Sequence, residues 1–241
     1  MQLSNNLKHF LYFTLAFALL VPIGTQTHEL GHIAFAKLFG YETELHFASM
    51  NYNWQETTAE FNQIYFDNKE AIISGKDFPG KAEYEAATDK FRNESLWVSI
   101  GGPLQTCLTG IIGLIMLYVR RQKRALAWQP TDWLAVFLSL FWLREPFNLA
   151  HALASSLLSH SGVLMYGGDE EGIARVLGWH PGAVAIPLGI IGGLVGLYVV
   201  FKVIPRKLRL SFIIAGLVGS AIGWVFWMNW VGPILLPVPP L

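Results

Sequence analysis

The chain has 241 residues, of which 53% are hydrophobic and 14% charged, and its formal net charge at pH 7 is zero. Soluble domains usually carry about 25% charged residues, so this composition excludes an ordinary soluble domain and indicates an integral membrane protein. A single cysteine, Cys107, excludes an internal disulfide framework. No stretch interleaves basic and aromatic residues as a nucleic-acid surface does. We therefore expect one membrane domain over residues 1–241, with the lipid bilayer and no nucleic acid as a partner.

The first apolar unit covers residues 7–39 and contains no charge between Phe10 and Ile23. Its opening also fits a secretory signal peptide, but no small-x-small cleavage site precedes His28. The helical pattern instead continues beyond that histidine, with Gly40 as the predicted stop. We predict a helix that spans the bilayer.

The carboxyl end of this predicted helix carries the motif His28-Glu29-Leu30-Gly31-His32. On a helix, His28 and His32 lie one turn apart, so both imidazoles project from one face and can bind one metal ion. Glu29 lies beside them as a carboxylate that can take a proton from water at the metal. Polar groups in or near a bilayer are costly, which favours a zinc site over a chance match on a surface helix.

Residues 41–96 form the only long polar stretch of the sequence. Partial alternation of polar and apolar residues predicts a strand at 44–52, and a second candidate strand covers 60–66. Residues 80–95 have the pattern of a surface helix. The alternative for the whole insertion is a solvated loop.

Residues 97–231 hold the remaining transmembrane helices, and the apolar runs predict spans at 96–119, 133–158, 181–203 and 210–230. Together with the first helix, they predict an all-α polytopic membrane protein of about five transmembrane helices. A small strand-containing polar insertion follows the first helix. The tail, residues 232–241, is too rich in proline to be predicted as a helix.

The distribution of charge predicts an orientation in the membrane. Four basic residues lie within 120–124 and four more within 202–209, whereas residues 41–96 carry eleven acidic and five basic residues. Positive-inside counting places both basic loops, and with them the amino terminus, in the cytoplasm. We expect a multi-pass protein of the bacterial cytoplasmic membrane.

The third predicted span is unusual because it contains Arg144, Glu145, Asn148 and His151. Arg144, Asn148 and His151 share one helical face, and ionisable residues inside a membrane normally face a cavity or a partner. Arg144 and Asn148 are therefore candidates for contact with a substrate or an oxyanion. The alternative is an Arg144–Glu145 pair, or polar packing between helices.

A catalytic zinc ion usually has three protein ligands and an open position, so the two histidines need a further ligand. The candidates in the sequence are Asp169, Glu145, His151, His160 and Glu170. Asp169 is preferred because it lies between Gly168 and an apparent helix start, where a tight turn lets a carboxylate approach a metal. The alternative is that Asp169 caps the helix that follows it.

These motifs, within residues 10–175, resemble the site-2-protease-type family of intramembrane zinc metalloproteases. The motif at 28–32 looks like the first core helix of that family, and Gly102-Pro103-Leu104 resembles its glycine-proline element. Asp169 falls where the family has its aspartate ligand. The chain differs from the family at 105–106, where it has Gln-Thr instead of a frequent asparagine, and at 167–170, where Gly-Gly-Asp-Glu replaces Leu-Asp-Gly.

The resemblance implies an intramembrane zinc endopeptidase that cuts peptide bonds within or next to transmembrane segments of a protein substrate. It implies zinc held by His28, His32 and Asp169, with Glu29 as the general base that activates water. The strand at 44–52 is a candidate for pairing with an unwound substrate. The family commonly places zinc nearer the cytoplasmic face, whereas the charge count here places the motif nearer the external face.

Two other functions fit the same sequence. One is a membrane-anchored zincin that acts on soluble or misfolded proteins. The other is a non-catalytic membrane scaffold or transporter with a degenerate motif, which predicts no bound zinc and no effect of Glu29→Gln.

Overall fold

A computed structural model of the chain describes residues 2–53, 59–122, 128–159 and 164–238. In chain order the elements are α1 (Gln2–Leu38), β1 (Thr43–Leu45), β2 (Met50–Tyr52), α2 (Ala59–Ile73), α3 (Lys81–Gln122), α4 (Pro130–Ser139), α5 (Arg144–Leu158), α6 (Gly168–Val176), α7 (Gly182–Tyr198), α8 (Arg209–Phe226) and α9 (Gly232–Leu235). The predicted all-α class with a small strand-containing insertion is confirmed.

Four helical stretches in the described part of the chain are long and apolar enough to cross a membrane: Asn6–Leu38, Lys81–Arg121, Gly182–Val203 and Arg209–Leu235. The last two extend α7 and α8 through π-helical turns at Val199–Val203 and Trp227–Val231. The segment 133–158, predicted as one span, is divided into α4, a 3₁₀ turn at Leu140–Leu143, and α5. This break places Arg144 at the start of a new helix.

Helix α1 ends as its sequence predicts. It runs to Leu38, and Gly40 then adopts φ = +86°, a left-handed conformation that glycine tolerates best. The N–H of Tyr41 donates to the Ala36 carbonyl at 3.1 Å, which closes the last turn of the helix.

The strand predicted at 44–52 is instead a hairpin. Its two strands pair antiparallel with Glu44 opposite Asn51, and a loop at 46–49 connects them. Gln26 of α1 donates from Nε2 to the carbonyl of Phe47 at 2.8 Å, and the Trp227 indole donates to the same oxygen at 2.7 Å. The hairpin loop is therefore fixed between α1 and the end of the α8 stretch.

The strand predicted at 60–66 is wrong, because these residues belong to α2. Phe61, Ile64 and Tyr65 recur at helical spacing, and a strand would separate them onto opposite faces. The Phe61 ring stacks on Tyr84 of α3 at 4.7 Å. Packing against α3 therefore favours a helix, although the local alternation of polar residues favours a strand.

The surface helix predicted at 80–95 and the span predicted at 96–119 form one continuous helix of 42 residues, α3. Gly80, with φ = +81°, precedes the helix, and no glycine or proline interrupts residues 81–100. The predicted boundary of the polar insertion at 96/97 therefore lies inside α3.

The tail prediction is also wrong in part, because Gly232–Leu235 form the short helix α9. These four residues continue the helical stretch that begins at Arg209, and Pro233 follows the π-helical turn at Trp227–Val231. The chain leaves the helix at Leu236.

The core of the molecule lies around α1, which packs against α3 on one side and α8 on the other. Phe13 and Phe17 of α1 meet Phe212 of α8 edge to face, with ring centroids 5.1 and 5.0 Å apart. Farther along, Gly223 of α8 packs on the Ala18 carbonyl, whose usual helical donor is missing because residue 22 is proline. This close packing fixes the helix that carries the motif at 28–32.

Candidate metal centre

The two histidines of α1 meet through the same ring atom. Their Nε2 atoms are 3.2 Å apart and the ring planes are nearly perpendicular, at 82°. His28 is 0% exposed and His32 is 6% exposed. The one-turn spacing of the sequence therefore produces a buried pair of nitrogen atoms that point to one place.

Asp169 of α6 completes this arrangement from the other side. Its Oδ2 atom lies 2.9 Å from Nε2 of His28 and 3.3 Å from Nε2 of His32. In a tetrahedral zinc site with bonds of about 2.0–2.1 Å, ligand atoms are about 3.3–3.4 Å apart. The three atoms therefore form a triangle of nearly the size that zinc requires, and Asp169 lies next to both histidines.

The other nitrogen of each imidazole is held by α3. Nδ1 of His32 lies 2.6 Å from the Val98 carbonyl, which can only accept, so Nδ1 carries the hydrogen and Nε2 presents a lone pair. Nδ1 of His28 lies 2.9 Å from the Thr106 hydroxyl. Hydrogen bonds of this kind orient histidine ligands in metal sites. Lone pairs that converge on a carboxylate repel one another unless a cation lies between them.

Gly102 of α3 leaves the space that such a cation needs. A Cβ atom at this position would lie 2.5 Å from Nε2 of His28 and even closer to Nε2 of His32. These separations approach metal–ligand bond lengths. Gly31 and Gly101 also pack backbone to backbone, so that α1 and α3 approach closely at this level. The residues present therefore fit a zinc ion.

Glu29 lies beside the ligand atoms and is 6% exposed. Its carboxylate and the ring nitrogens of His28 and His32 lie within 4.8 Å of one another, so these three residues alone could also hold a metal ion. Asp169 is the better third ligand, because its distances of 2.9 and 3.3 Å are shorter. Glu29 then lies beside the three ligand atoms and is not one of them.

The turn before α6 explains how Asp169 reaches the histidines. Gly167 and Gly168 both have positive φ, 66° and 69°, and Asp169 is the second residue of the helix. The residue before α6 is Gly167, which leaves Asp169 inside the helix and in contact with the imidazoles. The alternative that Asp169 is the helix cap is therefore not supported.

Glu171 holds this turn in place. Its Oε2 accepts the N–H groups of Tyr166 and Gly167 at 2.6 and 2.7 Å, and its Oε1 pairs with Arg175. Burial alone would raise the pKa of Glu171, but these hydrogen bonds lower the pKa below its ordinary value.

Most of the remaining ligand candidates lie away from the histidine pair. Glu145 and Glu170 are each 2% exposed, and neither forms an ion pair with His28 or His32 in the described ranges. His151 is exposed and stacks on Phe147. His160 lies outside the described residues.

The two residues predicted to contact a substrate lie on α5 next to the site. The Nδ2 atom of Asn148 is 3.8 Å from the position of a Cβ on Gly168, beside Asp169. Arg144 lies one turn earlier, within electrostatic reach of His28 and Glu29. The Arg144–Glu145 pair, given above as the alternative, is not among the ion pairs of the described residues.

Three contributors to the site were not assigned from the sequence: the Val98 carbonyl, the Thr106 hydroxyl and the Glu171 carboxylate. Val98, Gly102 and Thr106 are spaced by four, so they share one face of α3. A threonine on the same face as the glycine-proline element was therefore an available signal. Glu171 had no comparable signal, because its partners are backbone N–H groups.

No protein-family model, curated protein or solved structure matches this chain.

Proposed function

We propose that this protein is a zinc-dependent intramembrane endopeptidase of the site-2-protease type, acting on transmembrane protein segments. One observation carries the proposal: the convergence of His28, His32 and Asp169 beside Glu29. Two of these ligands and Glu29 lie in Asn6–Leu38, a helix apolar enough to cross a membrane. A hydrolytic site at this depth suits a substrate that is itself in the bilayer.

His28, His32 and Asp169 would hold the zinc ion. When bound, zinc supplies Lewis acidity to a scissile carbonyl and lowers the pKa of water. Glu29 accepts the proton of the attacking water on its carboxylate and delivers it to the nitrogen of the leaving amine. Burial of Glu29 keeps bulk water from competing for that proton.

Asn148 is the preferred donor for the oxyanion that develops on the scissile carbonyl. Its amide nitrogen lies against the turn that presents Asp169, at 3.8 Å from the Cβ position of Gly168. An amide N–H fixed before reaction stabilises charge that appears only in the transition state.

The hairpin Thr43–Tyr52 is proposed to hold the unwound substrate. Gln26 ties its loop to α1, two residues before His28 in the sequence. A transmembrane helix must unwind before its peptide bonds can be cut, and an added strand satisfies the released backbone groups.

In the proposed membrane topology, α4 and α5 together would form a broken third span. The protein would then have about five spans, with the amino terminus in the cytoplasm.

The proposal is tested by incubating the purified protein with a synthetic transmembrane peptide and measuring zinc content in the same preparations. The wild type is expected to cleave, whereas Glu29→Gln keeps its zinc and loses cleavage, because the variant side chain cannot accept a proton. Cleavage retained by Glu29→Gln would contradict the mechanism. Zinc without cleavage of this peptide or of an unfolded soluble protein would favour a non-catalytic protein.

A further inference from the structure

Arg144 is a partly buried cation that lacks a partner in the described residues. Its Nε atom is buried and has no hydrogen-bond acceptor. No ion pair within 4.0 Å includes its guanidinium among residues 2–53, 59–122, 128–159 and 164–238. An unpaired charge that is partly buried is costly, so this arginine would stabilise an anion that enters the site.

The acids around Arg144 do not supply that anion. Glu29, Glu145 and Glu170 lie within electrostatic reach of Arg144, but none of them forms an ion pair with it in the described residues. One oxygen of Glu145 and one of Glu170 also have no partner in the described part of the chain. Both acids are 2% exposed, whereas Arg144 is only partly buried. Arg144 therefore retains donors that can reach a molecule entering the site.

The candidate metal centre is accessible on one side, next to α5, the helix that carries Arg144. Among the ligand side chains, those of His28 and His32 are 0% and 7% exposed, whereas that of Asp169 is 33% exposed. The accessible side is thus the side of α6. Arg144 and Asn148 lie one turn apart on α5, and Nδ2 of Asn148 is 3.8 Å from the Cβ position of Gly168, next to Asp169. Arg144 is also within electrostatic reach of His28 and Glu29, which places it near a molecule bound at the histidines.

We propose that Arg144 binds a carboxylate of the substrate next to the scissile bond. The carboxylate is either an acidic side chain or a free carboxyl terminus. Arginine suits this role because its planar group donates two parallel hydrogen bonds to a carboxylate. The inference rests on the proposed peptide-hydrolysing site, and it assigns that site a preference for acidic substrates.

The test measures peptide binding to the zinc-loaded Glu29→Gln protein, which binds without cutting. One pair of synthetic transmembrane peptides carries a single Asp or Asn at its centre. A second pair ends at the same depth in a free carboxylate or an amide, so the two pairs separate the two sources. We expect the acidic member of one pair to bind at least about tenfold more tightly than its neutral partner.

The preference for acidic peptides should disappear in Arg144→Gln. It should become smaller in Arg144→Lys, because lysine keeps the charge but not the paired donors. It should be unchanged in the control Arg92→Gln, which replaces an exposed arginine on α3. The preference for acidic peptides should also persist after zinc is removed with a chelator. If the peptide carboxylate bound the metal instead of Arg144, chelation would abolish the preference. Equal binding of acidic and neutral peptides, or a preference unchanged in both Arg144 variants or abolished by chelation, would overturn the proposal.

Failure of the inference and failure of the proposed function give different results. If the wild type cleaves neutral and acidic peptides at equal rates, the inferred acidic preference is contradicted and the proposed endopeptidase function is supported. If acidic peptides bind selectively through Arg144 but the wild type cleaves none of them, the proposed endopeptidase function is contradicted and the carboxylate-binding site is supported. If Arg144→Gln does not fold, as judged by its melting temperature, Arg144→Lys and the wild-type peptide pairs decide the question.

Discussion

At the scale of single residues, the metal centre depends on one position where a side chain is absent. Gly102 faces the Nε2 atoms of both histidines, and the point that a Cβ would occupy is at nearly bonding distance from them. In most helices, glycine in place of alanine costs about 1 kcal/mol. Here the missing side chain leaves space next to both imidazoles.

We predict that Gly102→Ala abolishes zinc binding, because the added methyl group overlaps the space between the imidazoles. Zinc per chain, measured by elemental analysis of the purified variant, should fall to background. Gly193→Ala on α7 is the matched control, since nothing lies within 4 Å of its Cβ position. Full zinc occupancy in Gly102→Ala would show that the ion lies elsewhere.

Thr106 contacts His28 at Nδ1, whereas the Nε2 atom of His28 faces His32. Thr106→Val keeps the volume but removes the hydroxyl at 2.9 Å from Nδ1, and we expect zinc affinity to fall by about 10–100-fold. Competition with a zinc-binding dye measures this change. Thr106→Ser should restore most of the affinity, and an unchanged affinity in Thr106→Val would argue against this role.

The residues of the site were predictable to the extent that their geometry is local. His28, Glu29 and His32 follow from one turn of helix, so their spacing alone predicts a shared face. Asp169 is 141 residues from His28, and only its glycine turn and the family resemblance pointed to it. Val98 contributes a carbonyl, which every residue has, so its identity carries no signal.

At the scale of elements, the start of α6 is built to present Asp169. Two glycines with positive φ turn the chain, and Glu171 satisfies the N–H groups that the turn exposes. A carboxylate that accepts two backbone hydrogen bonds and pairs with Arg175 holds the turn from inside the helix.

We predict that Glu171→Gln lowers the free energy of unfolding by about 1.5–3 kcal/mol at neutral pH, because charged hydrogen bonds to backbone N–H groups are weakened. Because the pKa of Glu171 is lower in the folded protein, this stabilisation is present above the unfolded pKa of about 4.3 and is lost as pH falls through the folded pKa.

Unfolding in mixed detergent micelles at pH 7 and at acidic pH measures this difference. Glu85→Gln, an exposed acid on α3, is the control. The difference in free energy of unfolding between wild type and Glu171→Gln should become smaller at acidic pH. A gap that is constant with pH would mean that the Glu171 charge does not stabilise the turn.

Elements that depend on tertiary contacts were the ones the sequence misassigned. Phe61, Ile64 and Tyr65 are at helical spacing, but the polar alternation around them also fits a strand, and the contact of Phe61 with Tyr84 decides for the helix. The hairpin was read as one strand because the loop at 46–49 has no glycine or proline to mark it. Its shape depends on Gln26 and Trp227, which are distant in the sequence.

At the scale of the whole molecule, α1 carries two of the candidate ligands and is also apolar enough to cross a membrane. It packs between α3 and α8, and its motif lies near its carboxyl end. The basic residues of the loop before α8 and the acidic residues of 41–96 are expected on opposite faces. The metal centre is then nearer the face that carries the hairpin.

This orientation is testable with single cysteines in a Cys107→Ala background. We expect Glu85→Cys to react with an impermeant maleimide added outside intact cells, and Lys207→Cys to react only after the membrane is opened. Both positions are exposed in the fold, so burial does not explain a difference between them. The reverse pattern would place the amino terminus outside.

The zinc content of the purified protein tests the central claim most directly. After reconstitution with zinc and removal of loosely bound metal, the wild type should hold about one zinc ion per chain. A protein carrying both His28→Ala and His32→Ala should hold none while remaining in the membrane fraction. A wild type without zinc, or equal zinc in the double variant, would contradict the account.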